Sequence, residues 1–140
     1  MNHGGAGTGP WVQADMEKGL WSGNTTNTAE PPIVADFVTA MLKGGPGRWA
    51  LKGGDASAVG PLTTFYDGVR PSEKTAGHSL PGGGIYNPMR KQGALILGVG
   101  GDNSDRGIGT FLEGAITRGF ATDAADEAVQ ANIVAVGYRN

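Results

Sequence analysis

Three acidic residues have types and spacing suited to chemistry. Asp15 and Glu17 lie two positions apart in the alternating run Trp11-Val12-Gln13-Ala14-Asp15-Met16-Glu17, and Asp102 follows Gly100 and Gly101 at the end of an apolar run. Side chains alternate faces along a strand, so Gln13, Asp15 and Glu17 would share one side and Val12, Ala14 and Met16 the other. Carboxylates on one surface repel and shift each other's proton affinity, a property that acid/base sites exploit. Glycines before Asp102 permit close approach of a ligand to the backbone. A carboxyl at the mouth of an apolar strand is also partly desolvated, which favours the protonated form that a general acid needs. Each feature has a plain structural reading beside it. Alternation describes a solvated outer face over an apolar inner one, and Asp102-Asn103-Ser104 is ordinary turn chemistry.

Other chemistries find less support. Cysteine is absent, which removes thiolate catalysis, disulfides and cysteine metal sites. His3 and His78 have no partner at metal-ligand spacing, and Ser22, Ser57, Ser72, Ser79 and Ser104 lie in no Gly-x-Ser-x-Gly elbow. Counted from Asp102, a calcium loop would use Ser104, Gly107 and Glu113, but Arg106 falls at a liganding position and the flanks read as strands. The glycine-rich start, residues 5–9, has no strand before it and so does not match a dinucleotide loop. No metal or cofactor is expected. Trp11, Trp21 and Trp49 suit either a core or the apolar face of a sugar ring.

The elements that must position these groups follow from composition and punctuation. A length of 140 residues suits one domain, 26 glycines and a charged fraction of 17% suggest many tight turns, and a net charge of −2 without basic runs gives no footprint for nucleic acid or an anionic membrane. No apolar stretch approaches a membrane span, and the N-terminus lacks the pattern of an export signal. Strands are expected over residues 11–21, 33–43, 48–52 (stopping at Gly53-Gly54), 62–66 (stopping at Asp67-Gly68), 93–99 and 110–117, with a long irregular stretch over 71–88. The last segment reads as a helix. Thr122 or Asp123 caps it, Asp126 and Glu127 suit its positive end, Ala125, Val129, Ile133 and Val136 form an apolar stripe, and Gly137 ends it. Strands in succession before one closing helix point to a mainly β chain, an antiparallel, jelly-roll-like β-sandwich with a short C-terminal helix, in one domain over residues 1–140.

Several long motifs, in order, resemble one family. They occupy residues 9–23, 37–45, 49–56, 62–71, 86–104, 109–114 and 129–135, and include Gly-Pro-Trp-Val-Gln-Ala-Asp-Met-Glu-Lys-Gly-Leu-Trp-Ser-Gly and Ala-Leu-Ile-Leu-Gly-Val-Gly-Gly-Asp-Asn-Ser. Together they look like the later half of the catalytic domain of alpha-L-arabinofuranosidase B, glycoside hydrolase family 54. The resemblance implies retaining hydrolysis of terminal α-L-arabinofuranosyl groups from arabinan or arabinoxylan, outside the cell. Glu17 would be the nucleophile and Asp102 the acid/base, with Asp15, Lys18, Gly101 and Asn103 around the sugar. The implied partner is an arabinose-containing polysaccharide or oligosaccharide.

The chain also departs from that family. An adjacent cysteine pair used against the sugar is absent, Lys18 stands where the family carries an asparagine, and the sugar-binding C-terminal module has no counterpart. Half a sandwich would leave sheet edges uncovered, and such edges invite self-association. The alternative expectation is a truncated, non-catalytic relative that at most binds arabinose-containing glycan.

Overall fold

A computed structural model describes residues 14–15, 20–21, 32–69 and 109–139. Two short strands, β1 (Ala14–Asp15) and β2 (Leu20–Trp21), pair antiparallel with Asp15 opposite Leu20. Three longer strands, β3 (Val38–Gly45), β4 (Arg48–Asp55) and β5 (Thr63–Val69), form an antiparallel sheet in that order, and one helix, α1 (Asp123–Val136), follows. The described part is therefore mainly β with a terminal helix, as expected. Of the expected sandwich it shows one three-stranded sheet with α1 bonded to one side.

The β3–β4 hairpin closes through Pro46 and Gly47, since Gly45 pairs with Arg48. Proline fixes a negative φ at the first turn position and Gly47 supplies φ +65° at the second, the signs of a type II turn. Pairing carries β4 through Gly53 and Gly54, where a stop was expected. A side chain at Gly54 would meet Leu62 Cδ2 at 3.3 Å and Gln130 Nε2 at 3.6 Å, so the missing Cβ makes room for a loop and the helix.

Asp67-Gly68 is likewise no turn. Both residues pair with the central strand, opposite Ala50 and Trp49, and a register shift between Leu51 and Lys52 absorbs one extra residue of β5. Cross-strand pairing outweighs the local turn preference here. Tyr66 Oη leans over Gly68 to donate to the Val69 carbonyl at 2.6 Å.

The register sorts the sheet into two faces. One carries Thr39, Lys43, Ala50, Lys52 and Gly54; the other carries Trp49 and Leu51. Trp49 is 1% exposed and its ring lies 6.0 Å from Tyr66 at 53°. The strand expected over 110–117 does not form. Residues 109–117 have no ladder partner among the described residues and are exposed throughout.

Thr122 is the N-cap. Its backbone is extended (φ −73°, ψ 159°) and its Oγ1 accepts from the Ala125 amide at 3.2 Å. Gly137, left-handed at φ 76°, closes the other end by donating to the Val134 carbonyl. The helix's apolar stripe is not the side that meets the sheet. Ala125, Val129 and Val136 are exposed and Ile133 is half-buried, whereas Asp126 and Gln130 are buried. Lys43 and Lys52, inward on neighbouring strands, draw the acidic side of the helix onto the sheet. Lys43 Nζ reaches Asp126 Oδ2 at 2.5 Å and Asp123 Oδ1 at 3.4 Å, while Lys52 Nζ reaches the same oxygens at 2.8 and 2.6 Å. Gln130 Nε2 adds a bond of 2.7 Å to the Asp55 carbonyl.

Removing one member of a buried ion cluster leaves its partners uncompensated. Asp126→Asn should cost about 3 kcal/mol in denaturant unfolding, and Thr122→Ala about 1 kcal/mol through the lost cap. Equal and small losses for both variants would show that the cluster does not hold the helix.

Candidate functional site

The residues expected to perform chemistry are distributed unevenly over the described structure. Glu17, Lys18, Gly101, Asp102 and Asn103 lie outside the described residues. Asp15 is described by its backbone alone, as the last residue of β1. The antiparallel β1–β2 register overturns one expectation: residues 11–21 cannot be a single strand, because the chain reverses between Asp15 and Leu20. Sharing one strand face therefore no longer links Asp15 to Glu17.

The described acids are mostly committed to structure. Asp126 is 3% exposed and accepts from both Lys43 and Lys52. Hydrogen bonds from Lys52 and Lys43 hold the Asp123 carboxyl below its usual value of 3.8. Burial disfavours the charge on Lys52, yet its bonds to Asp123 and Asp126 outweigh that cost and hold its pKa above 10.5. Asp67 takes a two-pronged bond from Arg48, Nε to Oδ1 at 2.9 Å and Nη2 to Oδ2 at 2.7 Å, which lowers its pKa. Asp55 is lowered by the side-chain and backbone bonds from Ser57. Phe120 lies over this edge, its ring centroid 4.5 Å from Lys43 Nζ and 4.4 Å from the Arg48 guanidinium carbon. A carboxylate held ionised by hydrogen-bond donors is a poor general acid, so Asp123, Asp67 and Asp55 act as anchors, and Asp126 is committed to the two lysines.

Glu113, a position in the calcium-loop count, accepts from the Tyr138 hydroxyl, and Tyr138 stacks on Phe37 with centroids 5.8 Å apart. Among the described residues no group of three or more His, Asp or Glu side chains could hold a metal ion. One cleft of about 390 Å³ opens between residues 59–61 and α1. Glu127 is its single acid, and both carboxylate oxygens already accept from the Leu62 amide at 3.3 and 3.4 Å. Glycoside hydrolysis uses two carboxyl groups, so this cleft lacks the set. Sequence reasoning missed the ion cluster. Its signal was present: lysines nine residues apart flank a glycine-rich turn that pairs their strands, and acids three apart open a helix.

Comparison with known proteins bears on the whole chain. Residues 1–139 match the family described as alpha-L-arabinofuranosidase B, catalytic. An alpha-L-arabinofuranosidase B of Emericella nidulans is 52% identical over 136 residues, 96% of this chain and 25% of that protein. An arabinofuranosidase/β-xylosidase of Trichoderma koningii is 52% identical over the same shares. A solved structure of a glutamate-to-glutamine mutant of a GH54 α-L-arabinofuranosidase, soaked with 4-nitrophenyl α-L-arabinofuranoside, superposes with a TM-score of 0.72 at 45% identity, covering 95% of this chain and 26% of that one. The chain thus spans about a quarter of the length of these relatives.

The cluster's pH window follows from the two shifts. Asp123, lowered in the fold, contributes stability that is present above pH 3.8 and lost as pH falls through its folded value. Lys52, raised in the fold, contributes below pH 10.5 and loses that contribution as pH rises through its folded value. Helix content by circular dichroism should be flat between these limits and fall outside both; a midpoint near neutrality would contradict the pairing. With the match running collinearly over residues 1–139, the chain belongs to the alpha-L-arabinofuranosidase B catalytic-domain family, a family of glycosidases.

Proposed function

We propose that this chain carries the catalytic carboxylates of a retaining α-L-arabinofuranosidase, acting outside the cell on terminal arabinofuranosyl groups of arabinan or arabinoxylan. The observation that carries the reading is the family match over residues 1–139, which includes both acid-bearing motifs. Two features support it. The described aspartates are tied to cations or to Ser57, so the acids for catalysis are sought among the other residues. The relative soaked with an aryl arabinofuranoside was a glutamate-to-glutamine mutant, which makes a glutamate the first residue to test.

In this reading Asp102 donates its proton to the glycosidic oxygen as the Glu17 carboxylate attacks the anomeric carbon. The aglycone leaves as an alcohol and a glycosyl ester forms on Glu17. The Asp102 carboxylate then removes a proton from water, whose oxygen attacks the same carbon and frees Glu17. Retention by this route requires the two carboxyl groups about 5–5.5 Å apart. Asp15, Lys18, Asn103 and the backbone at Gly101 would surround the sugar hydroxyls, with Lys18 placing a cation beside the nucleophile.

A second reading is favoured by the quarter-length coverage of the relatives: a non-catalytic chain that binds arabinose-containing glycan. Hydrolysis of 4-nitrophenyl α-L-arabinofuranoside by the purified chain separates them. The catalytic reading expects turnover that falls at least about 100-fold in Glu17→Gln and in Asp102→Asn. Unchanged turnover in both variants contradicts the assignments, and arabino-oligosaccharide binding without turnover favours the second reading.

A further inference from the structure

Residues 109–119 are exposed throughout, and among the described residues one hydrogen bond reaches them, from the Tyr138 hydroxyl to the Glu113 carboxylate. The structure on either side of the segment is held. Tyr138 follows the Gly137 cap of α1, is half-buried and stacks on Phe37 with ring centroids 5.8 Å apart at 20°. Phe120, just beyond the segment, places its Cβ and Cδ2 3.4 Å from where a Gly45 side chain would begin, and its ring lies beside Lys43 and Arg48. Gly119 joins Phe120 to the exposed residues, at φ +91° with open space where a Cβ would stand. A left-handed glycine lets the backbone turn there without side-chain hindrance.

We infer that residues 109–119 are a strap closed by a latch: the Tyr138 hydroxyl holds Glu113, and without that bond the segment swings about Gly119 while Phe120 stays seated. The lengths fit. Helix α1 has 14 residues and so a length of about 21 Å, while the chain from Glu113 to Phe120 reaches at most about 25 Å when extended. The strap therefore returns from the C-terminal end of the helix to its N-terminal end with little slack. A bond at Glu113 then fixes the course of the whole return. Phe111 and Leu112, 53% and 47% exposed, lie just before the latch and move with it. The inference uses no role for Glu17 or Asp102.

Chymotrypsin cleavage after Phe111 and Leu112, followed by peptide mass in the purified 140-residue chain, tests the latch. Tyr138→Phe removes only the hydroxyl and leaves a ring to stack on Phe37. Proteolysis tracks the population of the open form, so cleavage at both bonds should quicken on the order of fivefold or more in this variant, with helix content by circular dichroism unchanged. Tyr66→Phe deletes a hydroxyl bonded to the Val69 carbonyl, away from the strap, and should leave strap cleavage at the wild-type rate. Equal cleavage in wild type and Tyr138→Phe overturns the inference, because other contacts then hold the segment. So does the same acceleration in Tyr66→Phe, or one that extends equally to bonds outside the strap, since the hydroxyl would then be a general stabiliser of the fold.

Discussion

Everything described on the helical side of the sheet depends on four charges in one small volume. Lys43 and Lys52 come from neighbouring strands, Asp123 and Asp126 from the first turn of α1, and the four sum to zero. Three of the side chains are at most 6% exposed, while Asp123 stands at the open edge with 72%. Removing such charges from water is costly, and the arrangement is tolerable because each ammonium meets two carboxylates. The gain is in geometry more than in net energy. An apolar contact would allow α1 to turn about its axis, whereas these directional bonds, with Gln130 on the Asp55 carbonyl, hold one rotation.

That rotation has consequences at both ends of the helix. It sets Glu127 against the Leu62 amide, which closes one wall of the cleft beside residues 59–61, and brings Phe120 over Lys43 and Arg48. It also turns Val129 and Val136 outward.

Much of the architecture was legible in the residues. The successive strands over 33–43 and 48–52, the helix and its caps at Thr122 and Gly137 were legible, because propensity and cap signals act through local backbone geometry. What was not legible depended on distant partners. Asp67-Gly68 reads as a turn until β4 pairs with it, and 110–117 reads as a strand although the described residues give it no neighbour. The apolar stripe of α1 was legible as a stripe, but not its direction, since periodicity marks a face without saying which way it points. The run through Asp15 and Glu17 likewise showed alternation but not the reversal between β1 and β2. Glu17 and Asp102 were singled out by residue type and family resemblance, and they lie outside the described residues.

The claim beneath this account is that opposite charge, not apolar contact, seats the helix on the sheet. A double-mutant cycle on Lys52 and Asp126, with each replaced singly and together by methionine and leucine, measures that coupling directly. The account predicts a coupling of about 1–3 kcal/mol, with each single variant less stable than the pair of replacements implies. Additive effects, with a coupling near zero, would contradict it.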